Sequence, residues 1–378
     1  MRSRMSCIAS VLWVMAVSPA WSQASDERIV LAQARPVIAP TAATEGEQDA
    51  AARVNNWTVG VAGGLIEGSF IHFAADLAKA LDDGDKLRIL PIVTYGAAEN
   101  ISDLLYLKGV DIAITNADVF EEYRKNHAFS NIERRINYIS EMSTSEFQLF
   151  AGPGIKTIQD LAGKKVGFNS KGSAANITGK IVFERLGIPV QAVFVNNSIA
   201  LQQLHNGELA ALVHTAAKPN DLFKSETAES GFHFLSVDYS AKLSDYYLPT
   251  SLTSDDYPKL FKPGESVSTI AVPVVLAVYN WQASSDRFRR VERFIQYYFE
   301  RFDTMRKPPF MAKWRDVNLA AKVPGWTRYW VAEDVLSKTA SGQAAASLPT
   351  SPTSSSAPSD AGDPVYREFL EWRKKQHK

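Results

Sequence analysis

The chain has 378 residues, more than one hydrophobic core usually organises, which predicts two to three domains. Its hydrophobic fraction of 46% and charged fraction of 22% are those of an ordinary globular protein, which excludes a disordered or collagen-like chain. The 41 basic and 41 acidic side chains cancel, so no global field draws the chain to nucleic acid, and the single cysteine, Cys7, excludes a disulfide framework and a multi-thiolate metal site.

Residues 1–24 have the pattern of a secretory signal peptide. Arg2 and Arg4 precede an apolar run over residues 7–17, after which small residues stand where a signal peptidase reads. The alternative is a membrane anchor, but the run is about half of the roughly 20 residues that a spanning helix needs. We therefore predict cleavage and a periplasmic mature protein, since a mature chain without cysteine suits an oxidising compartment.

The mature chain is predicted to begin with a flexible leader over residues 25–56, which carry prolines and many alanines without a sustained apolar period. Strands and helices then alternate. The apolar periods predict strands over residues 57–62, 87–93 and 111–115, and helices over 70–81, over 98–107 and from 117 onward. Such βαβ units favour a largely parallel sheet with right-handed crossovers.

A Gly-Pro-Gly sequence at residues 152–154 interrupts this pattern, and a second series of the same kind follows. It comprises predicted strands over residues 165–168, 193–196 and 209–214, a helix that ends at 186 and a helix over 199–205. A long apolar strand over residues 269–279 then precedes a further amphipathic helix.

The two series predict two α/β lobes with a ligand cleft between them, because strand carboxyl ends and helix amino ends open there. The predicted boundaries are listed here: lobe 1, residues 57–150; lobe 2, residues 151–268; the second part of lobe 1 with a helical cap, residues 269–338. Tryptophans 281, 314, 326, 330 and 372 lie late in the chain, and we expect them to pack the cap onto lobe 1.

The C-terminal segment has a different composition. Residues 339–363 contain 21 Ala, Ser, Thr, Pro or Gly out of 25, too few apolar side chains to order themselves, which predicts a disordered tether. Beyond it, Phe369 and Trp372 lie at helical spacing before a basic end, which predicts a terminal amphipathic helix over residues 364–378.

Two glycine-rich loops are candidate ligand loops. The first, over residues 60–69, lacks the G-x-G-x-x-G spacing and the later acidic residue of a dinucleotide-binding site. It is either a simple turn that needs glycine or a ligand-binding loop. The second runs from Gly167 to Ser173 and resembles a phosphate loop, but Ser173 stands where the lysine would be, which excludes nucleotide hydrolysis. Its small residues at a helix N-terminus favour a carboxylate or another anion.

Side chains of the second loop add to that anion site. Hydrogen-bond donors are offered by Asn169, Ser170, Ser173 and Asn176. Lys171 either is solvated, as most loop lysines are, or contacts the ligand.

Catalysis has no anchor in the sequence. No H-x3-H, H-E-x2-H or G-x-S-x-G motif occurs, so we predict neither an enzyme nor a metal or cofactor. His214, at the end of an apolar strand, is the one histidine expected to face the cleft, and we interpret it as packed and neutral.

Four segments are similar to the TAXI group of substrate-binding proteins of TRAP transporters. They are the glycine-rich first loop, the strand-to-helix loops at residues 94–100 and 111–118, and the segment 161–173, which is the most specific match. With residues 209–218 and 269–279 the resemblance covers about residues 57–300.

The resemblance implies a two-lobed periplasmic-binding-protein fold of type II, each lobe a largely parallel sheet flanked by helices. It implies a monomeric receptor that closes on a small organic acid or acidic amino acid and delivers it to a TRAP membrane permease. The predicted ligand-binding residues are Gly63, Gly64, Glu67, Ser69, Gly96, Glu99, Asn100, Asn116, Asn169, Ser170, Lys171, Gly172, Ser173, Asn176, Thr215 and Lys218. Glu67 departs from the family's opening loop and either faces solvent or contacts a ligand ammonium.

Two rival functions remain on this fold. One is a ligand sensor for a membrane signalling partner without transport, and the other is an enzyme built on the same two lobes.

Overall fold

The computed structural model describes residues 44–346, with side chains described as far as residue 338. Contacts divide the chain into two compact units, Met1–Asp49 and Ala50–Lys378, and only residues 44–49 of the first are described.

The helices of the described residues are α1 Glu45–Asn56, α2 Ser69–Leu81, α3 Ala97–Tyr106, α4 Ala117–Lys125, α5 Ile132–Arg135, α6 Ala174–Leu186, α7 Asn197–His205, α8 Asp286–Glu300, α9 Phe302–Met305 and α10 Trp330–Ala346. The strands are β1 Thr58–Gly64, β2 Arg88–Val93, β3 Ile112–Asn116, β4 Ile136–Ala151, β5 Lys165–Gly167, β6 Gln191–Val193, β7 Ala211–Ala216, β8 His233–Phe234, β9 Leu248–Thr253 and β10 Ser266–Tyr279.

The strands pair in the order β2-β1-β3-β10-β4-β7-β5-β6, with β8 beside β4 and β9 beside β10. At each end of this order three strands are parallel: β1 with β2 and β3, and β5 with β6 and β7. The central strands β4 and β10 are antiparallel to their neighbours. The predicted fold class, two α/β lobes built on largely parallel sheets with flanking helices, is confirmed.

The buried apolar side chains separate into the cores of two lobes. Those of residues 59–142 and 274–332 form one cluster, which Ala174 also joins, and we call this part the first lobe. Those of residues 147–272 form two neighbouring clusters, and we call this part the second lobe. Helices α2 and α3 belong to the first lobe, and α6 and α7 to the second.

Strands β4 and β10 run through both lobes. The cores change over a few residues earlier in β4 and a few residues later in β10 than the sequence-based boundaries at 150/151 and 268/269. No turn-forming residues mark these two crossings, because β4 and β10 each pass from one lobe to the other as one continuous strand. The two crossings are therefore the segments about which the lobes can rotate.

Helix α1 occupies part of the predicted flexible leader. Thr44 and Glu47 form a capping box, in which Glu47 Oε2 accepts from Thr44 N (2.8 Å) and Thr44 Oγ1 accepts from Glu47 N (3.3 Å). This T-x-x-E signal starts the helix, so the structure differs from the predicted leader over residues 45–56.

Helix α10 extends into the start of the predicted tether. It continues to Ala346 because the first residues of that segment are rich in alanine, the strongest helix former. The predicted signal peptide and terminal helix, and the rest of the leader and tether, lie outside the described residues.

The late tryptophans anchor the C-terminal segment in the first lobe. The indole ring of Trp314 is fully buried 5.0 Å from the ring of Phe73 in α2, and its Nε1 donates to Asp76 (3.0 Å). The ring of Trp326 lies 4.1 Å from that of Phe120. Among the helices described, none is long and apolar enough to cross a membrane.

Candidate functional site

Four helices begin at one cavity between the lobes. The first residues of α2, α3, α6 and α7 line this cavity, and each lobe contributes two of these helices. The first N–H groups of a helix have no acceptor within the helix, and its N-terminus carries about half a positive charge. The cavity is therefore suited to a negatively charged group.

Local sequence fixes where these helices begin. Ser173 caps α6 with an Oγ that accepts from Asn176 N (3.2 Å), and Asn196 caps α7 with an Oδ1 that accepts from Ser198 N (2.7 Å). Gly68 and Gly96 precede α2 and α3 without any side-chain cap. At these two starts a ligand can approach the backbone closely.

Hydrogen bonds across the cleft hold the lobes together around the cavity. Ala98 N donates to Gly172 O (2.9 Å), and Asn196 Nδ2 donates to Glu67 Oε1 (2.8 Å). Ala217 N also donates to Ser69 Oγ, more weakly at 3.4 Å. The structure is thus a closed conformation, in which each lobe contributes donors and acceptors to the other.

A buried carboxylate also joins the lobes. Asp118 of α4 accepts with Oδ2 from Thr178 Oγ1 (2.8 Å) and from Tyr247 OH (3.0 Å), both in the second lobe. Burial raises the pKa of Asp118 to about 6, and the two hydroxyl hydrogen bonds oppose that change. Closure therefore buries a carboxyl group that is costly to ionise.

Several buried polar atoms at the site have no hydrogen-bond partner among the described residues. Three of them, Thr215 Oγ1, His214 Nε2 and Asn197 Oδ1, belong to side chains that line the cavity. Both polar atoms of the Asn116 side chain, which is fully buried, are also unpartnered. An unsatisfied buried polar group costs about 1–3 kcal/mol, so these atoms mark places where a ligand or water supplies the partner.

His214 is neutral at this site. Its Nδ1 lies 2.6 Å from Asn197 Nδ2, and burial lowers its pKa to about 4, while the Glu67 carboxylate and the Asn220 side chain act in the opposite direction. The expectation of a packed, neutral histidine agrees with this geometry, although the imidazole also lines the cavity.

The structure brings seven of the sixteen predicted ligand-binding residues to the cavity wall: Gly64, Glu67, Ser69, Gly96, Asn169, Ser173 and Thr215. The nine that do not line it are Gly63, Glu99, Asn100, Asn116, Ser170, Lys171, Gly172, Asn176 and Lys218.

Some of these nine shape the loops instead. Asn100 Nδ2 donates to the carbonyls of Gly63 (3.1 Å) and Ile114 (2.7 Å), which ties the first two strand ends together. Asn176 Oδ1 accepts from Gly172 N (3.2 Å).

The two lysines predicted at the anion site lie elsewhere. Lys218 Nζ donates to Asp256 Oδ2 (2.8 Å) and to Ser251 O (2.6 Å), so its charge is already paired. Lys171 Nζ lies over the ring of Phe194, 5.4 Å from its centroid. Backbone N–H groups and neutral side chains therefore line the cavity in place of lysines.

Replacing Lys171 by alanine is expected to change the affinity for a carboxylate ligand less than tenfold, because this lysine does not line the cavity. Calorimetric titration of the variant checks this. A larger loss would show that the ammonium reaches the ligand.

Sequence reasoning missed Asn196 and Asn197 of the second lobe, which line the cavity. The predicted start of α7 was Ile199, two residues late. The Asn-Asn-Ser sequence at 196–198 is a helix-capping signal and could have corrected this.

A family model described as the NMT1-like family matches residues 68–320, which is more than half of the chain and includes the starts of all four helices at the cavity. The chain belongs to the NMT1-like family. A comparison with curated proteins found no match.

Solved structures similar to this NMT1-like protein include two periplasmic proteins and an amino-acid-binding protein. A periplasmic transporter is 10% identical, with a TM-score of 0.46, over 76% of this chain and 96% of that one. The periplasmic binding protein BugD is 11% identical, with a TM-score of 0.45, over the same shares. An ancestral arginine-binding protein bound to arginine is 18% identical, with a TM-score of 0.38, over 66% of this chain and 96% of that one.

Proposed function

We propose that this NMT1-like protein is a periplasmic solute receptor that binds a small carboxylate-bearing molecule, an organic acid or an acidic amino acid, between its lobes. The observation that supports the proposal most is the convergence of four helix N-termini, two from each lobe, on one cavity with unpartnered buried polar atoms. A ligand that satisfies groups on both lobes stabilises the closed conformation.

The residues that line the cavity indicate how the negative charge of the ligand is bound. Among the described residues that line the cavity there is no lysine or arginine. The carboxylate is therefore bound by the first N–H groups of the helices and by neutral side chains such as Thr215, and each helix end contributes about 0.3–1 kcal/mol toward a negative group.

We further propose that the protein delivers this ligand to a TRAP-type permease. The support is the resemblance of residues 161–173 and of the first three loops to the TAXI group. Uptake of the ligand by cells that lack this chain, restored by the chain only where the permease is also present, tests this step. Uptake that does not depend on the permease contradicts it.

Replacing Thr215 by valine is expected to weaken carboxylate binding about tenfold, with no loss of stability. The Thr215 hydroxyl is buried and unpartnered, so a methyl group of similar size removes a donor for the ligand but breaks no hydrogen bond of the closed protein. Calorimetric titration with dicarboxylates and acidic amino acids measures affinity, and urea unfolding measures stability.

The matched control is Thr269→Val. Thr269 is equally buried, but its hydroxyl donates to Phe147 O and does not line the cavity. We expect this variant to lose about 1 kcal/mol of stability and to keep its affinity. Unchanged affinity in Thr215→Val, or equal stability losses in both variants, would contradict the proposed site.

A further inference from the structure

The cavity has an acidic end. Glu67 is the one carboxylate among the described residues of its wall, and His214 is neutral. Glu67 stands just before Gly68, the N-cap of α2, and faces Asn196, the N-cap of α7, across the cleft. Its charge therefore offsets the positive ends of these two helices.

Glu67 has no cationic partner in the described part of the chain. Its Oε1 accepts one hydrogen bond, from Asn196 Nδ2, and no Lys, Arg or His forms an ion pair with it. The Glu67 side chain is exposed and also lines the cavity. A ligand thus finds an unpaired negative charge there.

The N-terminus of α6 forms the positive end of the cavity. This helix has no acid in its first turn, and its residues Ser173, Ala174 and Ala175 line the cavity. Helix α3, by contrast, carries Glu99 in its first turn, and that carboxylate accepts from Tyr95 N. The first turn of α6 is therefore the most positive part of the wall.

A second observation points to a ligand in this space. Thr215 and His214 are more than nine-tenths buried, line the cavity and present polar atoms without a partner. The wall therefore offers an anion site, neutral polar groups and an unpaired carboxylate.

We propose that this cavity selects amine-bearing carboxylic acids, that is, amino acids, over the hydroxy acids of the same carbon skeleton. The ligand carboxylate lies at the first turn of α6 and the ammonium at Glu67. This inference rests on the proposed function and narrows its ligand class. A hydroxy acid has no ammonium group to pair with the Glu67 carboxylate, so that charge stays uncompensated. Amino acids are therefore bound in preference to hydroxy acids.

The test uses calorimetric titration of the purified full chain with three matched pairs: alanine and lactate, leucine and 2-hydroxyisocaproate, glutamate and 2-hydroxyglutarate. We expect the amino acid of the best-bound pair to bind at least tenfold more tightly than its hydroxy acid. Glu67→Gln is expected to lower that ratio at least tenfold, mainly through weaker amino-acid binding. Glutamine still accepts from Asn196, so the variant removes the charge and keeps the contact between lobes.

Glu208→Gln is the matched control. Glu208 is also exposed and also accepts from an asparagine amide, Asn206 Nδ2 (3.2 Å), but it does not line the cavity. The ratio is expected to stay at the wild-type value in this variant.

The outcomes separate the two proposals. If the carboxylates bind but hydroxy acids bind as well as amino acids, or if Glu67→Gln leaves the ratio unchanged, the inference is wrong and the solute-receptor function stands. If no member of any pair binds while a ligand without a carboxylate does, both proposals are wrong.

Discussion

Replacing Gly96 by alanine is expected to weaken ligand binding at least tenfold, about 1.4 kcal/mol. A Cβ on Gly96 would lie 3.1 Å from Ser173 Cα and 3.6 Å from Ala174 N, both backbone atoms of the second lobe. The new methyl group therefore resists closure and covers the first turn of α6, where we place the ligand carboxylate. Calorimetry measures the affinity, and small-angle scattering with and without ligand measures the closure.

The control for this substitution is Gly109→Ala. Gly96 and Gly109 both have a positive φ, 121° and 102°, so alanine strains the backbone at either position. A Cβ on Gly109 has no neighbour within 4 Å. Both variants should lose about 1 kcal/mol of stability, and only Gly96→Ala should lose affinity. Equal affinities in the two variants would contradict the closed arrangement of the lobes.

Replacing Asp118 by asparagine is expected to raise the stability relative to the wild type by about 2 kcal/mol more at pH 7 than at pH 4. Burial raises the pKa of Asp118 from 3.8 to about 6. The folded state therefore holds a proton that the unfolded state has released, and the stability this contributes is fully present below pH 3.8 and lost as pH rises through about 6. Asparagine removes that dependence and can still accept from Thr178 and Tyr247.

His214 titrates with the opposite sign over the same range. Burial lowers its pKa from 6.5 to about 4, so its contribution to stability is full above pH 6.5 and is lost as pH falls through about 4. The two effects partly cancel in the wild type. The prediction therefore concerns the difference between Asp118→Asn and the wild type, measured by urea unfolding at several pH values.

Asp238→Asn provides the reference for this experiment. Asp238 is an exposed carboxylate that also accepts a hydroxyl hydrogen bond, from Ser236 Oγ (2.8 Å). Its substitution should leave the pH dependence of the wild type in place. A difference between Asp118→Asn and the wild type that does not change between pH 4 and pH 7 would show that Asp118 is not buried as described.

The alternating part of the fold could be predicted from the sequence because its signals are local. Helices α2, α3 and α6 follow directly after Gly68, Gly96 and Ser173, residue types that favour helix starts. Their apolar faces repeat at helical spacing, so the sequence also predicted on which side of the sheet edge the loops gather.

The central strand β4 was missed because it carries no such pattern. Its 16 residues include Ser140, Ser143, Ser145 and Glu146, all buried where the strand passes between the lobes. These polar residues separate the apolar ends of the strand, so no continuous apolar run or regular alternation spans its length.

The positions of the charged side chains could not be read from the sequence. Lys218 was assigned to the anion site as a loop lysine beside a strand end, but Asp256, 38 residues later, pairs with it in the fold. Pairings of this range depend on the packed tertiary structure, which local spacing does not encode. Glu67 lines the cavity, but its contact with Asn196 across the lobes could not be read from the sequence.

Native mass spectrometry of the protein purified from the cells that produce it naturally tests the central claim most directly. We predict that the wild type carries one small molecule per chain, that this molecule contains a carboxylate, and that Gly96→Ala loses it while Gly109→Ala retains it. A bound molecule without a carboxylate, or one that Gly96→Ala retains as fully as the wild type, would contradict the account.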